Sequence, residues 1–398
     1  MKTLSLKSAL RRTFTVLVVL IMAIGSMNLI FAGISNNPNV DIVSVNEIPG
    51  IKIGHWSDET AMTGVTVIVC DLPGGATGGV SVLGGSPASR ETDLLDPTKT
   101  VQIVNAIVLS GGSAFGLDSA GGVMRNLEAR RLGVPVGRTV VPIVPTACVF
   151  DLGRGDHTVR PGIVEGYLAV EDAFNPNTTW KDGNVGGGTG AGAGGMKGGL
   201  GSFAYKFGDL YVGVVVVVNS AGNVVDPVTN EIIAGRRDLA TNTFICREEQ
   251  IVANTAPPSA REYLENTTIA AVITNARLNK AEANQLAVMA HDGFSRAIQP
   301  THTPSDGDIV FVIATGEAPT ASVTWGQETA NLSLLGVLAV NAMERAIVSA
   351  AYNAETLGGV VGAATLRAEG NTPAQPPGRN VSVLVDVKNS PSNRFPTR

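Results

Sequence analysis

The chain has 398 residues, 29 lysines and arginines against 34 aspartates and glutamates, and a formal net charge of -5. A mildly acidic chain with only 5% aromatic residues lacks the basic, base-stacking face that nucleic acid requires, so no nucleic-acid partner is expected. Hydrophobic residues at 44% and charged residues at 16% allow a sizeable core and argue against disorder over most of the length. The three cysteines, Cys70, Cys148 and Cys246, fit neither a zinc spacing nor a complete disulfide framework and read as small buried hydrophobes.

The first 32 residues carry Lys2, Lys7, Arg11 and Arg12 ahead of the apolar run Phe14–Ile24. That is the pattern of a secretory signal, or of an uncleaved membrane anchor, since no small-x-small cleavage site follows: Ala32 is small but Ile30 is not. Either reading puts the body of the protein in the periplasm or outside the cell. No second run is expected to reach transmembrane length. Residues 33–44 read as a linker, and residues 45–368 as one domain.

Within that domain, Ile51–Ile53 and Val65–Cys70 read as strands, the second buried on both faces. Ala106–Leu109 is a short strand that runs through the glycine turn Gly111–Gly116 into a helix carrying Leu117, Val123, Met124 and Leu127, a strand-turn-helix order of α/β type. Val140–Val144 and Cys148–Leu152 read as one strand interrupted near Pro142. Residues 183–201 are extremely rich in glycine, of which the chain has 47. Val212–Val218 is an apolar β run ending at Asn219, and Ser220–Asn223 reads as a hairpin turn back into Val224-Val225. Residues 247–266 read as an exposed loop, Thr267–Thr274 as a strand, Asn279–Ile298 as an amphipathic helix, Ile309–Ala314 as a strand and Leu334–Ala351 as a second long helix. From residue 369 to 398 the chain turns polar and proline-rich and reads as a flexible tail.

Several constellations suggest chemistry and fail their tests. The turn Gly111–Gly116 has the wrong spacing for a dinucleotide fingerprint, and Lys197 in the run 190–197 is followed by Gly198 rather than the Ser or Thr of a phosphate loop. His55, His157, His291 and His302 form no metal spacing, and Ser113 is in no nucleophile elbow. No metal or cofactor is expected. What remains is a lone lysine, Lys197, in bare glycine backbone, and two short motifs. Asn266-Thr267-Thr268 joins a polar loop to a strand. It reads as a glycosylation sequon or plain strand start, or as a self-cleavage junction whose threonine hydroxyl attacks the preceding carbonyl and frees an α-amine able to serve as its own base. Asp306-Gly307-Asp308 reads as an acidic turn, or as a carboxylate pair tuning such a threonine.

Taken in order, Gly54-His55, the stretch Ala106–Leu117, Val141–Pro145, Gly183–Gly186, Asn219, Asn266–Ile269, Met289–Asp292 and Asp306–Asp308 closely resemble the DmpA-type aminopeptidase and β-peptidyl aminopeptidase family, which includes the nylon-oligomer hydrolases. The resemblance spans residues 48 to 365. It implies an α/β fold of αββα four-layer type, N-terminal-nucleophile-like, cut into an α chain ending at Asn266 and a β chain beginning at Thr267. It implies catalytic roles for Thr267, Asn219, Lys197, Asp306 and Asp308, a small peptide or amide substrate, and a homo-oligomer of αβ units. Where some members carry an active-site tyrosine, this chain has Phe150, which shifts the oxyanion role toward Asn219 and backbone N–H groups. An acyltransferase with the same nucleophile and a silent envelope ligand-binding protein are the alternatives.

Overall fold

The computed structural model describes residues 37, 39–253, 266–318 and 331–377. The expected N-terminal signal or anchor lies outside these residues. In chain order the strands of the two large sheets are β1 (Val40–Val43), β2 (Ile51–Asp58), β3 (Thr63–Cys70), β4 (Ala76–Val82), β5 (Ser89–Arg90), β6 (Ile103–Val104), β7 (Ala106–Ser110), β8 (Thr146–Cys148), β9 (Gly199–Phe207), β10 (Leu210–Asn219), β11 (Thr267–Thr274) and β12 (Ile309–Ala314). The long helices are α1 (Ser119–Ala129), α2 (Ile163–Ala173), α3 (Lys280–Ala297) and α4 (Leu332–Tyr352). One sheet runs β1-β9-β10-β11-β12-β4-β6, the other β2-β3-β7-β8-β5.

Side-chain alternation explains how these strands stack. Along β10, Val212, Val214, Val216 and Val218 join a core with Leu286, Ala290 and Phe294 of α3 and Leu338, Ala342 and Ala346 of α4. The odd residues Val215 and Val217 join a second core with Ile68, Ile107 and Leu109 of the other sheet. Strands β11 and β12 alternate in the same way, Ala270, Val272, Val310 and Val312 toward the helices and Ile269, Ile273, Phe311 and Ile313 toward the facing sheet. A third core packs Val65, Val67 and Val108 against Ala120, Val123 and Leu127 of α1 and Ala169 and Val170 of α2. The layers are therefore αββα, and strands buried on both faces read as continuous apolar runs because neither face meets water.

The long helices begin where side chains cap them. Asn279 and Glu282 form a reciprocal capping box at α3, with Asn279 Oδ1 accepting the Glu282 N–H at 3.0 Å. Asn331 Oδ1 accepts the Leu334 N–H at 3.1 Å at α4. Helix α4 is also apolar and long enough to cross a membrane by length and composition, contrary to the expectation that no second run would be, but 67% of its apolar window is buried as a core helix.

Four local expectations are corrected. Residues 33–44 are not linker throughout, because Val40–Val43 pairs with β9 as an edge strand of the large sheet. The segment after β10 does not fold back on it: Asn223–Val225 pairs with Ile232–Ala234 and Ile298–Gln299 in a separate sheet. The stretch 140–152 is not one interrupted strand, because Thr139–Val141 belongs to a small hairpin with Val134–Val136, only Thr146–Cys148 enters the main sheet, and a turn follows. Arg247–Ala253 is a helix rather than loop, while residues 254–265 lie outside the described residues. At the far end Ala374 takes part in two backbone hydrogen bonds, accepting from Phe244 at 2.8 Å and donating to Asn242 at 2.9 Å, so residues up to 375 are tied to the body. Cys70 and Cys148 are buried as expected, and Cys246 is half-buried.

Candidate active site

Strand β11 opens on Thr267, which pairs directly across from Asn219 at the end of β10. Both positions continue the odd-numbered face of their strands, so both side chains stand at one end of the gap between the sheets, on the same face and one strand spacing apart. Thr267 and Asn219 are buried, at 5% and 1% exposure. A polar pair at the end of an otherwise apolar layer has no packing reason to be there.

The peptide before Thr267 is held from two directions. The Thr267 hydroxyl donates to the Asn266 carbonyl oxygen in a short hydrogen bond. The same oxygen accepts the Gly307 N–H at 3.1 Å, and Asn266 bridges Asp306 in parallel. Gly307 is bare because nothing larger fits: a Cβ there would stand 2.6 Å from the Ser86 oxygen and 2.8 Å from Thr267 Oγ1.

The two carboxylates flank this glycine and are both buried at 1% exposure. Asp308 Oδ1 accepts the Thr268 N–H at 2.7 Å, and Oδ2 accepts from Thr301 Oγ1 and the His302 N–H, each at 3.0 Å, with His302 Nδ1 at 2.8 Å. Asp306 Oδ2 accepts the Thr303 N–H at 2.9 Å and its hydroxyl at 2.6 Å. Burial, and then the charge of Asp308, push the Asp306 pKa up to about 6, against the hydrogen bonds from Thr303 and Ala221. His302 adopts a left-handed φ of +54°, unusual outside glycine, and its bonds to Asp308 hold it there. Its ring stacks on Phe294 and meets His291 edge-on with centroids 4.8 Å apart. Burial lowers the His291 pKa to about 4, and its Nε2 lies 3.1 Å from the Ser81 oxygen.

On the other side, Asn219 Oδ1 accepts the Gly192 N–H at 2.9 Å and Nδ2 donates to the Phe150 carbonyl at 3.1 Å. Phe150 therefore meets the site through its backbone. Lys197 is fully buried, with Nζ donating to the carbonyls of Thr189 at 2.7 Å, Ala191 at 2.9 Å and Gly188 at 3.4 Å. Its pKa falls to about 7, chiefly by desolvation, with Arg154 adding and Asp151 opposing. Lys197 reaches the site through the glycine loop that delivers Gly192 to Asn219, and its ammonium spends its donors on that loop.

The structure thus brings Asn219, Asn266, Thr267, Asp306 and Asp308 to one locus, with Lys197 one loop removed. Reading the sequence missed Gly307, His302, Thr303 and Arg154. The Thr303-to-Asp306 spacing of three is a local side-chain turn that could have been read. Nothing local says that Gly307 donates to a carbonyl forty-one positions earlier. Among the described residues no group of side chains is arranged to hold a metal ion.

The fold, an αββα sandwich with a polar locus where a central strand opens between two sheets, is shared with a solved aminopeptidase described as a variant of the N-terminal-nucleophile hydrolase fold. The L-aminopeptidase D-Ala-esterase/amidase of Ochrobactrum anthropi, a prototype for the serine aminopeptidases with a variant of that fold, superposes with a TM-score of 0.57 at 18% identity, covering 83% of this chain and 94% of its own. The profile of peptidase family S58 matches residues 44–365, and the chain belongs to that family. An uncharacterized aminopeptidase of Mycobacterium tuberculosis (strain ATCC 25618 / H37Rv) is 41% identical over 337 residues, 80% of this chain and 96% of its own. A 6-aminohexanoate-oligomer endohydrolase of Paenarthrobacter ureafaciens is 30% identical over 316 residues, 76% of this chain and 84% of its own. The protein is an amide-bond hydrolase of the aminopeptidase kind.

Proposed function

We propose that the chain cuts itself between Asn266 and Thr267 and then uses Thr267, as a new N-terminus, to hydrolyse amide bonds of small peptides or amino-acid oligomers. The observation that carries this reading is the Asn266 carbonyl, which lies against the Thr267 hydroxyl while accepting the Gly307 N–H at 3.1 Å. A carbonyl so polarised, with a hydroxyl beside it, is arranged for attack by Oγ1 on the Asn266 carbon, with negative charge developing on an oxygen that already has a donor. The C–N bond then breaks and its nitrogen takes the hydroxyl proton, leaving an ester on Oγ1. Water hydrolyses the ester and frees the Asn266 carboxylate and the Thr267 hydroxyl, the α-amine having been released when the C–N bond broke.

In turnover the α-amine takes the proton from Oγ1 as it attacks the substrate carbonyl and returns it to the leaving amine; water then hydrolyses the acyl ester and restores the Thr267 hydroxyl. Asn219 Nδ2 and nearby backbone N–H groups steady the oxyanion. Removing one such donor costs about 2.7–4 kcal/mol in other enzymes. Asp308 fixes the backbone at Thr268, and Asp306 supplies negative charge beside the new ammonium. The basic and then apolar N-terminal stretch supports work outside the cytoplasm.

N-terminal sequencing and intact-mass measurement of the purified protein test the reading. A second chain beginning Thr-Thr-Ile-Ala is expected, and Thr267→Ala should give one uncut chain with no amidase activity. A wild-type protein that remains whole after long incubation at neutral pH would refute it.

A further inference from the structure

The glycine loop has a second occupant that the reaction above does not use. The chain leaves β8 into a turn closed by the Arg154 N–H on the Asp151 carbonyl at 3.0 Å. The Asp151 side chain is buried, at 2% exposure, and is anchored from both sides: Oδ2 accepts from Thr63 Oγ1 and Oδ1 from the Gly112 N–H, each at 2.7 Å. From that fixed turn the Arg154 guanidinium reaches over the loop. Its Nη1 donates to the Gly190 carbonyl at 2.8 Å and to Asn219 Oδ1 at 3.3 Å. It packs against Gly192, where a Cβ would stand 2.1 Å from Nη2 and 2.7 Å from Cζ. The guanidinium occupies the space a side chain at 192 would take, so any Cβ there must displace it.

These contacts decide which way the Asn219 amide faces. An asparagine side chain has two orientations related by rotation about its last bond, and they exchange donor for acceptor. Here the Gly192 N–H and the Arg154 guanidinium both address one atom, which must therefore be oxygen. The flipped amide would set its NH2 group against two donors. With Oδ1 held there, Nδ2 faces the Phe150 carbonyl, to which it donates at 3.1 Å, and is the end of the amide that the reading above assigns to the oxyanion. A cation on Oδ1 also polarises the amide, which makes its N–H groups stronger donors.

We propose that Arg154 is a positioning residue for the oxyanion: seated on Gly192, it locks and polarises the Asn219 amide so that Nδ2 is presented to the carbonyl under attack. The proposal rests on the reading of Asn219 as an oxyanion donor. Asp151 holds the turn through its own partners, so the guanidinium can be removed without releasing the backbone. The Asn266 carbonyl takes its donor from Gly307, on the opposite side of Thr267, so loss of Arg154 should spare self-cutting and impair turnover.

The experiment is a double-mutant cycle on self-cut enzyme, with the aminoacyl p-nitroanilide that wild type hydrolyses fastest as probe. Arg154→Met should lower kcat by about 10- to 100-fold, by analogy with the range seen when hydrogen-bond partners of metal ligands are removed. KM, melting temperature and self-cutting should stay near wild type. Arg154→Lys should restore only part of kcat, because an ammonium lacks the planar fork. Gly192→Ala reaches the same end without touching Arg154, by displacing the guanidinium, and should reproduce the kcat loss. In an Asn219→Ala background Arg154→Met should cost nothing further. Wild-type kcat in Arg154→Met, beside an impaired Asn219→Ala, would overturn the inference and leave Asn219 in its role. Equal losses from Arg154→Met in both backgrounds would overturn it too. Wild-type kcat in Asn219→Ala would overturn both readings.

Discussion

Lys197 offers a measurement in which burial becomes visible as a pH effect. It is fully buried, and desolvation brings its pKa from the usual 10.5 down to about 7. In the unfolded chain the amine keeps its ordinary value. Between pH 7 and 10.5 the unfolded state therefore binds more protons than the folded one, and stability must rise with pH across that window. Below pH 7 both states carry the proton and the folded protein bears the whole cost of a buried cation. At about 1.4 kcal/mol per pH unit, that cost reaches at most about 5 kcal/mol, of which about 3 kcal/mol is relieved between pH 7 and 9.5. The assay is urea unfolding in a Thr267→Ala background, which under the proposed reading keeps one covalent chain. Stability of that parent should rise relative to its Lys197→Met derivative by up to about 3 kcal/mol over the interval, since Met retains the apolar stem and has no proton to lose. Titrating groups that do not interact with Lys197 cancel in the difference; Asp151, whose charge acts on Lys197, is the exception. Parallel pH dependences of parent and derivative would refute the argument and show the amine to be hydrated or paired.

Two further substitutions probe the junction. Gly307→Ala introduces a Cβ 2.6 Å from the Ser86 oxygen and 2.8 Å from Thr267 Oγ1, so either the Gly307 N–H or the Thr267 hydroxyl must move. Self-cutting, followed as the ratio of whole to cut chain with time, should slow by about 100-fold, the cost of a displacement near 1 Å; wild-type cutting would show that the Gly307 N–H has no part in it. Asp308→Asn removes a charge and also turns an NH2 group toward Thr301 Oγ1 and the His302 N–H, whose bonds Oδ2 now accepts. It should therefore lose self-cutting or turnover and also about 1–3 kcal/mol of stability by urea unfolding. An unchanged unfolding midpoint would show that the loop 301–303 does not depend on that oxygen.

Much of the architecture was legible in the chain itself. Thr267–Thr274 and Ile309–Ala314 were bounded to the residue by apolar, β-branched composition between polar flanks, and Asn279 announced the start of α3. These features are local, since each is set by side chains and backbone within a few positions. The candidate residues Thr267, Asp306 and Asp308 could be named from short motifs, and Asn219 from the family resemblance alone. Partnership was not legible. The segment Asn223–Val225 was expected to return along β10, because a turn signal predicts a neighbour, yet it pairs with residues more than seventy positions away. His302 looked isolated until the loop 301–303 folded onto Asp308, and Arg154 until a glycine loop closed around it. What the chain alone determined was which residues are polar, bare or apolar, and therefore which elements form. Only the folded sheets decided that the Asn266 carbonyl would meet Gly307 and that one amide would face a guanidinium. Such contacts join segments tens of residues apart, and their geometry follows from strand register and layer packing rather than from any neighbour in sequence.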